Sequence, residues 1–192
     1  MTHPEFADIG ACLFDAYGTL FDVHSAVAQE AGTLGDKADA VSATWRQKQL
    51  QYTWLRSLMR EHADFWQVTG EALDYALASH GVDDRALRER LMELYLTLAA
   101  YPEVPDTLKR LKSAGVATGI LSNGEPRMLM AAVDGANLRE LLDEVITVEA
   151  IGVYKPDPRV YKLGPERTSV ARERICFVSA NAWDVAGAAH FG

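Results

Sequence analysis

Four short apolar runs constrain this chain most: Ala11–Phe14, Val116–Leu121, Val145–Val148 and Ile175–Val178. Each is too short for a helix, and together they are rich in Val, Ile, Leu and Phe, the signature of strands buried on both faces. Helical patterns precede the last three. "VPDTLKRLKSAG" puts Leu108, Leu111 and Ala114 on one face, with a proline near its start and Gly115 as its C-cap. "EPRMLMAAVDGANLRELLDE" and "DPRVYKLGPERTSVARER" follow the same logic. Strands alternating with helices predict an α/β fold, a doubly wound and mainly parallel (Rossmann-like) sheet covered on both faces.

Residues 22–101 break this rhythm, because they contain no convincing strand. In "SATWRQKQLQYTWLRSLMREH", Trp45, Tyr52, Leu55, Met59 and His62 fall at helical spacing, with Arg46, Leu50 and Trp54 on an adjoining edge. Two further helices are predicted, "TGEALDYALASHG" with Thr69 as N-cap and "DDRALRERLMELYLTLAA". The expected organisation is a discontinuous core, 1–21 and 102–192, with an all-helical cap inserted at 22–101. The chain stops at "AAHFG", where a doubly wound core would run on, so a C-terminal strand is expected to be missing.

Composition narrows the partners. The net charge is −8 and there is no Lys/Arg run, which argues against nucleic acid or an anionic membrane. No apolar stretch approaches the ~18 residues of a membrane helix, and "MTHPEFADIG" lacks the basic and apolar regions of a signal peptide. Cys12 and Cys176 each sit in an apolar run and read as buried thiols of a cytoplasmic protein, not as a disulfide framework. The five histidines show no ligand spacing, so no metal site is expected.

In open parallel sheets, ligands bind beyond the carboxyl ends of the strands. Those ends carry Asp15 and Thr19 after the first run, then Ser122, Asn123 and Gly124 after the second. Lys155 follows the third, and Ser179, Asn181 and Asp184 follow the fourth. Taken singly, each has a plainer reading: an Asp after a strand caps a turn, Asn-Gly is a turn, and Asp184 balances a helix dipole. Arg46 alone is a snorkelling surface residue, and Tyr161 alone is packing. Four strand ends delivering two acids, a lysine and several hydroxyl and amide groups to one rim make a chemical inventory.

The order of these segments resembles the haloacid dehalogenase superfamily: "FDAYGTL", "SNG", "KPDPRVY" and "SANAWDVAGA" match its four motifs in sequence. "WRQKQLQYTWLRSLM" and "VSANAWDVAGAAHFG" are similar to the type II L-2-haloacid dehalogenases, and the likeness runs along essentially the whole chain. It implies that Asp15 is the nucleophile, held by Thr19, and that Ser122 with the backbone around Ala16, Tyr17 and Asn123 receives the substrate carboxylate. Arg46 would meet the departing halide with Asn123 and Trp183. Lys155, supported by Tyr161, would offset the crowded carboxylates, and Ser179, Asn181 and Asp184 would surround the hydrolytic water. Tyr17, Gln47, Leu50, Phe65 and Trp183 would wall the substrate's alkyl group. The resemblance also implies a small 2-haloacid substrate, no cofactor, no metal and a homodimer.

The residue types suit that chemistry on their own terms. A carboxylate stripped of hydration and aligned for in-line attack is a competent nucleophile. A permanent cation such as Arg46 stabilises a halide more as its charge develops than before. Displacement at C2 inverts the centre, so L-2-haloalkanoic acids would give D-2-hydroxyacids through an aspartyl ester. Two alternatives stand beside this reading. One is a Mg-dependent phosphohydrolase of the same superfamily, which carries a second aspartate two residues after the nucleophile, where this chain has Tyr17. The other is an incomplete, inactive fragment.

Overall fold

A computed structural model describes residues 8–192; the first seven, part of the segment read above for a leader and including His3, lie outside the described residues. Four strands form one sheet in the order β3-β2-β1-β4, every pair parallel. They are β1 (Ala11–Phe14), β2 (Ala117–Ser122), β3 (Glu144–Thr147) and β4 (Ile175–Val178). The first and last match the apolar runs residue for residue, and the middle two are displaced by one residue. β1 lies inside the sheet and all four of its residues are buried. Among the described residues β4 is an edge strand, only half-buried, with Val178 exposed.

Local signals set the helices of the α/β part. α6 (Val104–Ser113), α7 (Pro126–Gly135) and α8 (Pro158–Thr168) each have proline in the first turn, where a missing N–H costs nothing. Glu125 and Asp157 cap the latter two by accepting backbone N–H bonds. α9 (Ala182–Phe191) follows β4 directly and packs beside α8.

Between β1 and α6 the chain is helical: α1 (Ser25–Gln29), α2 (Ala31–Leu34), α3 (Ala38–Met59), α4 (Phe65–Ser79) and α5 (Arg85–Leu96). This segment leaves and returns through one neck, where Asp22 N donates to Ala99 O at 2.8 Å and Tyr101 N to Leu20 O at 3.0 Å. Among the described residues no helix is long and apolar enough to cross a membrane.

Two helical expectations need correction. α4 starts at Phe65, not after Thr69, because Asp64 caps it by accepting from Gln67 N at 2.7 Å. Thr69 lies buried inside the helix and donates back to Phe65 O. The buried face of α3 is Val41, Ser42, Trp45, Gln49 and Thr53 rather than the stripe through Leu55 and Met59. Leu55 and Met59 are exposed, and the helix ends before His62 at Arg60, whose φ of 60° is left-handed. Packing of α4 against α3 selects a face with polar members, which apolar periodicity does not register.

Candidate active site

The rim residues converge on one carboxylate. The Asp15 N–H bonds Val178 O at 2.9 Å, continuing the β1–β4 ladder by one step and fixing where the side chain leaves the sheet. Its Oδ1 accepts from Lys155 Nζ at 3.1 Å, and its Oδ2 accepts from Thr19 Oγ1 at 3.2 Å and Asn181 Nδ2 at 3.0 Å. With both oxygens held, the plane of the carboxylate is fixed. Thr19 itself accepts from Ala180 N at 3.0 Å, so one hydroxyl ties the turn after β1 to the turn after β4. Gly18 allows that turn, with a φ of +90° that a side chain would strain.

Lys155 is 1% exposed, and its ammonium also donates to Asp184 Oδ2 at 2.8 Å. Asp184 has no solvent exposure, and its Oδ1 accepts from Tyr161 Oη at 2.7 Å. Burial pushes the Asp184 carboxyl above its usual range; Lys155 opposes that and Asp15 adds to it, so desolvation outweighs the ion pair. The Tyr161 hydroxyl is likewise driven up, by burial first and by Asp184 second. Lys155 reaches between the two carboxylates because its own N–H bonds Asn123 Oδ1 at 2.9 Å, pinning the loop after β3 to the end of β2. An ammonium thus fills the place where a divalent cation would need carboxylate oxygens.

The remaining expected residues are placed unequally. Ser122 is buried and its hydroxyl accepts from Gly124 N at 3.0 Å, while Ser179 Oγ accepts from Asn181 N at 3.1 Å. Ala16 is buried, and its carbonyl closes the turn by accepting from Leu20 N and Phe21 N. Arg46 comes down from α3 and donates from Nη2 to Tyr17 O at 2.7 Å. A cleft of about 420 Å³ opens beside Lys155 between Trp54, Leu58, Tyr154 and Trp183. Of the five expected wall residues, Trp183 lines this cleft. Tyr17 and Phe65 are buried against each other with ring centres 5.3 Å apart, Leu50 is half-buried, and Gln47 is exposed. Tyr17 fits because Gly124 faces it: a Cβ there would come within 2.6 Å of the ring.

Sequence reasoning missed Gln49, Trp54 and Tyr95. Gln49 is wholly buried, and its Oε1 accepts from Arg46 Nη1 at 2.8 Å and from Tyr95 Oη at 3.1 Å. Its Nε2 donates to Thr69 Oγ1 at 2.8 Å. Trp54 meets Trp183 edge to face, with centroids 5.4 Å apart.

Comparisons with known proteins show the family. A family model described as haloacid dehalogenase-like hydrolase matches residues 9–192. The chain is 50% identical to (S)-2-haloacid dehalogenase 4A of Burkholderia cepacia over 95% of its own length and 79% of the relative's. It is 52% identical to (S)-2-haloacid dehalogenase 1 of Pseudomonas sp. (strain CBS-3), covering 96% and 82%. A solved structure of L-2-haloacid dehalogenase from Xanthobacter autotrophicus, with chloropropionic acid covalently bound, superposes with a TM-score of 0.89 at 43% identity, covering 96% of this chain and 75% of that one. The buried carboxylate at the tip of β1, the lysine behind it and these likenesses converge: the chain belongs to the haloacid dehalogenase-like hydrolases.

Proposed function

We propose that this chain hydrolyses short L-2-haloalkanoic acids to D-2-hydroxyacids. In the first step an oxygen of Asp15 attacks C2 from the side opposite the halogen, the carbon–oxygen bond forms, and the halide leaves with the bonding electrons. In the second, water adds to the ester carbonyl of Asp15, the hydroxyacid departs, and the carboxylate is restored with release of one proton. The carrying observation is the immobilised Asp15 carboxylate, held by Lys155, Thr19 and Asn181, with Tyr17 two residues beyond it. A phosphate ester needs an acid there to protonate its leaving alkoxide; a halide leaves as a stable anion. That difference favours dehalogenation over phosphate hydrolysis.

The other assignments follow from charge and position. Arg46 places a permanent cation beside the turn that carries the nucleophile, suited to a departing halide. Asp184, made more basic by burial, takes the proton of the attacking water, with Asn181 and Ser179 as its polar surround. Ser122 and Asn123, with the backbone of Ala16 and Tyr17, receive the substrate carboxylate. The helical segment 22–101 acts as a cap over the core of 1–21 and 102–192, and the cleft that Trp54 and Trp183 line takes the alkyl group. The reaction needs no metal, because Lys155 already neutralises the paired carboxylates. A homodimer fits the exposed apolar edge of α3, where Leu58 is 80% exposed, and light scattering tests it.

Chloride release from L-2-chloropropionate, with and without EDTA and beside an Asp15→Asn control, tests the whole reading. Release that is unchanged by EDTA and absent in the variant is expected. No release, or release abolished by EDTA, overturns it. Single turnover in labelled water should place label in the Asp15 carboxylate first.

A further inference from the structure

The two cysteines of the chain take no part in the chemistry above, and they do not occupy separate positions in the core. In the β1–β4 register Cys12 stands directly opposite Cys176. Neighbouring strands lie about 4.8 Å apart, inside the ~4.4–6.8 Å Cα range that a disulfide spans. Residues opposite one another in a parallel pair project from the same face, so the two thiols point together. The alternate residues Leu13 and Phe177 project from the other face, under α8 and α9. The expectation of two enclosed thiols is therefore corrected for one of them: Cys176 is half-buried, and both line an open groove of about 490 Å³ with Ile9, Thr107, Arg110 and Val116.

We propose that Cys12 and Cys176 are an oxidisable dithiol that closes to a disulfide by exchange with a small-molecule disulfide, tying β1 to β4 beneath the catalytic rim. The more accessible Cys176 attacks as thiolate, forming a mixed disulfide and releasing one small thiol. Cys12 then loses its proton and attacks the Cys176 sulfur, which expels the second small thiol. Two protein thiols lose two electrons and two protons, and one small disulfide is reduced to two thiols. The acidities divide in the same sense: the hydrogen bond with Cys12 pulls Cys176 down to about 7, while that with Cys176, followed by burial, drives Cys12 up. A nucleophile near neutrality beside a protonated partner is the arrangement that exchange requires.

The test is a redox titration of the folded chain with oxidised and reduced glutathione, quenched in acid, alkylated with N-ethylmaleimide and read by intact mass. The expected product has lost two hydrogen atoms, carries no maleimide and returns to the dithiol on reduction. Cys12→Ser should instead accumulate one glutathione adduct on Cys176. Cys176→Ser should react at least ~10-fold more slowly, because the remaining Cys12 thiol is the more buried of the two. A wild-type chain that keeps two free thiols across the titration, or that ends as a glutathione adduct without an internal bond, overturns the proposal. The readout is a mass, so its failure is separate from any failure of haloacid hydrolysis.

Discussion

The guanidinium of Arg46 is held from below by Gln49, a side chain with no solvent exposure, at 2.8 Å. Gln49 in turn joins α3 to α4 through Thr69 and to α5 through Tyr95, so one amide sets the aim of the cation over the turn that follows Asp15. Gln49→Leu keeps the volume and removes every bond. It should lower kcat for halide release by about 10- to 100-fold through a mobile Arg46. It should also cost about 2–3 kcal/mol in urea unfolding from the buried partners left unsatisfied. Unchanged kcat would show that Arg46 does not depend on this support.

Removing Lys155 leaves Asp15 and Asp184 buried beside each other without the cation that reaches both. Breaking a buried charged cluster from one side costs about 3–5 kcal/mol. Lys155→Met should therefore lower the chemical-denaturation midpoint sharply and abolish chloride release. Asp184→Asn removes only one of the two carboxylates and keeps a partner for Lys155, so it should fold better than Lys155→Met while still stalling turnover.

Acidity should separate the two chemical steps. Burial places the Asp184 carboxyl above its ordinary range, and the proposed water step needs its ionised form. Turnover should fall as pH drops through that raised value, with a midpoint above the ~3.9 of a free aspartate. A stopped-flow burst of about one halide per site should persist at pH values where steady turnover has stopped. For stability the sign is opposite: a carboxyl whose folded pKa is raised favours folding below its unfolded pKa, and that contribution disappears as pH rises through the folded value. A turnover profile flat down to pH 4 would remove Asp184 from the water step.

Trp54 and Trp183 meet edge to face in the lining of the cleft, and neither indole N–H has a partner. Trp54→Ala should open the cleft toward longer chains, raising kcat/KM for 2-chlorobutyrate relative to 2-chloropropionate by about 10-fold, the scale of one methylene. No change in that ratio would place the alkyl group elsewhere.

The strands and the meeting of the rim residues were legible in the sequence, because buried parallel strands are uninterrupted apolar runs and polar side chains gather just past their ends. Asp15, Thr19, Lys155, Tyr161, Asn181 and Asp184 come together as one hydrogen-bonded set. The helical segment was less legible. A glutamine on a helix reads as solvent-facing, and the burial of Gln49 is decided by α4 and Tyr95, which lie 20 and 46 residues away along the chain. The start of α4 was available: Asp64 precedes Gln67 by three residues, a capping pattern just ahead of an apolar run. Tyr17 was identified by what it replaces, but its role as a packed ring between Phe65 and Tyr95 depends on Gly124, from a different strand end.

Thr19 bonds Asp15 on one side and Ala180 on the other, so the turn after β1 is measured against the turn after β4. Substitutions on the outer surfaces of these turns leave that measurement intact. A single residue inserted between Asp15 and Thr19, or between Val178 and Asn181, lengthens one side alone and carries the amide or the hydroxyl out of reach. The length of each turn is therefore as much a part of this rim as the side chains it carries.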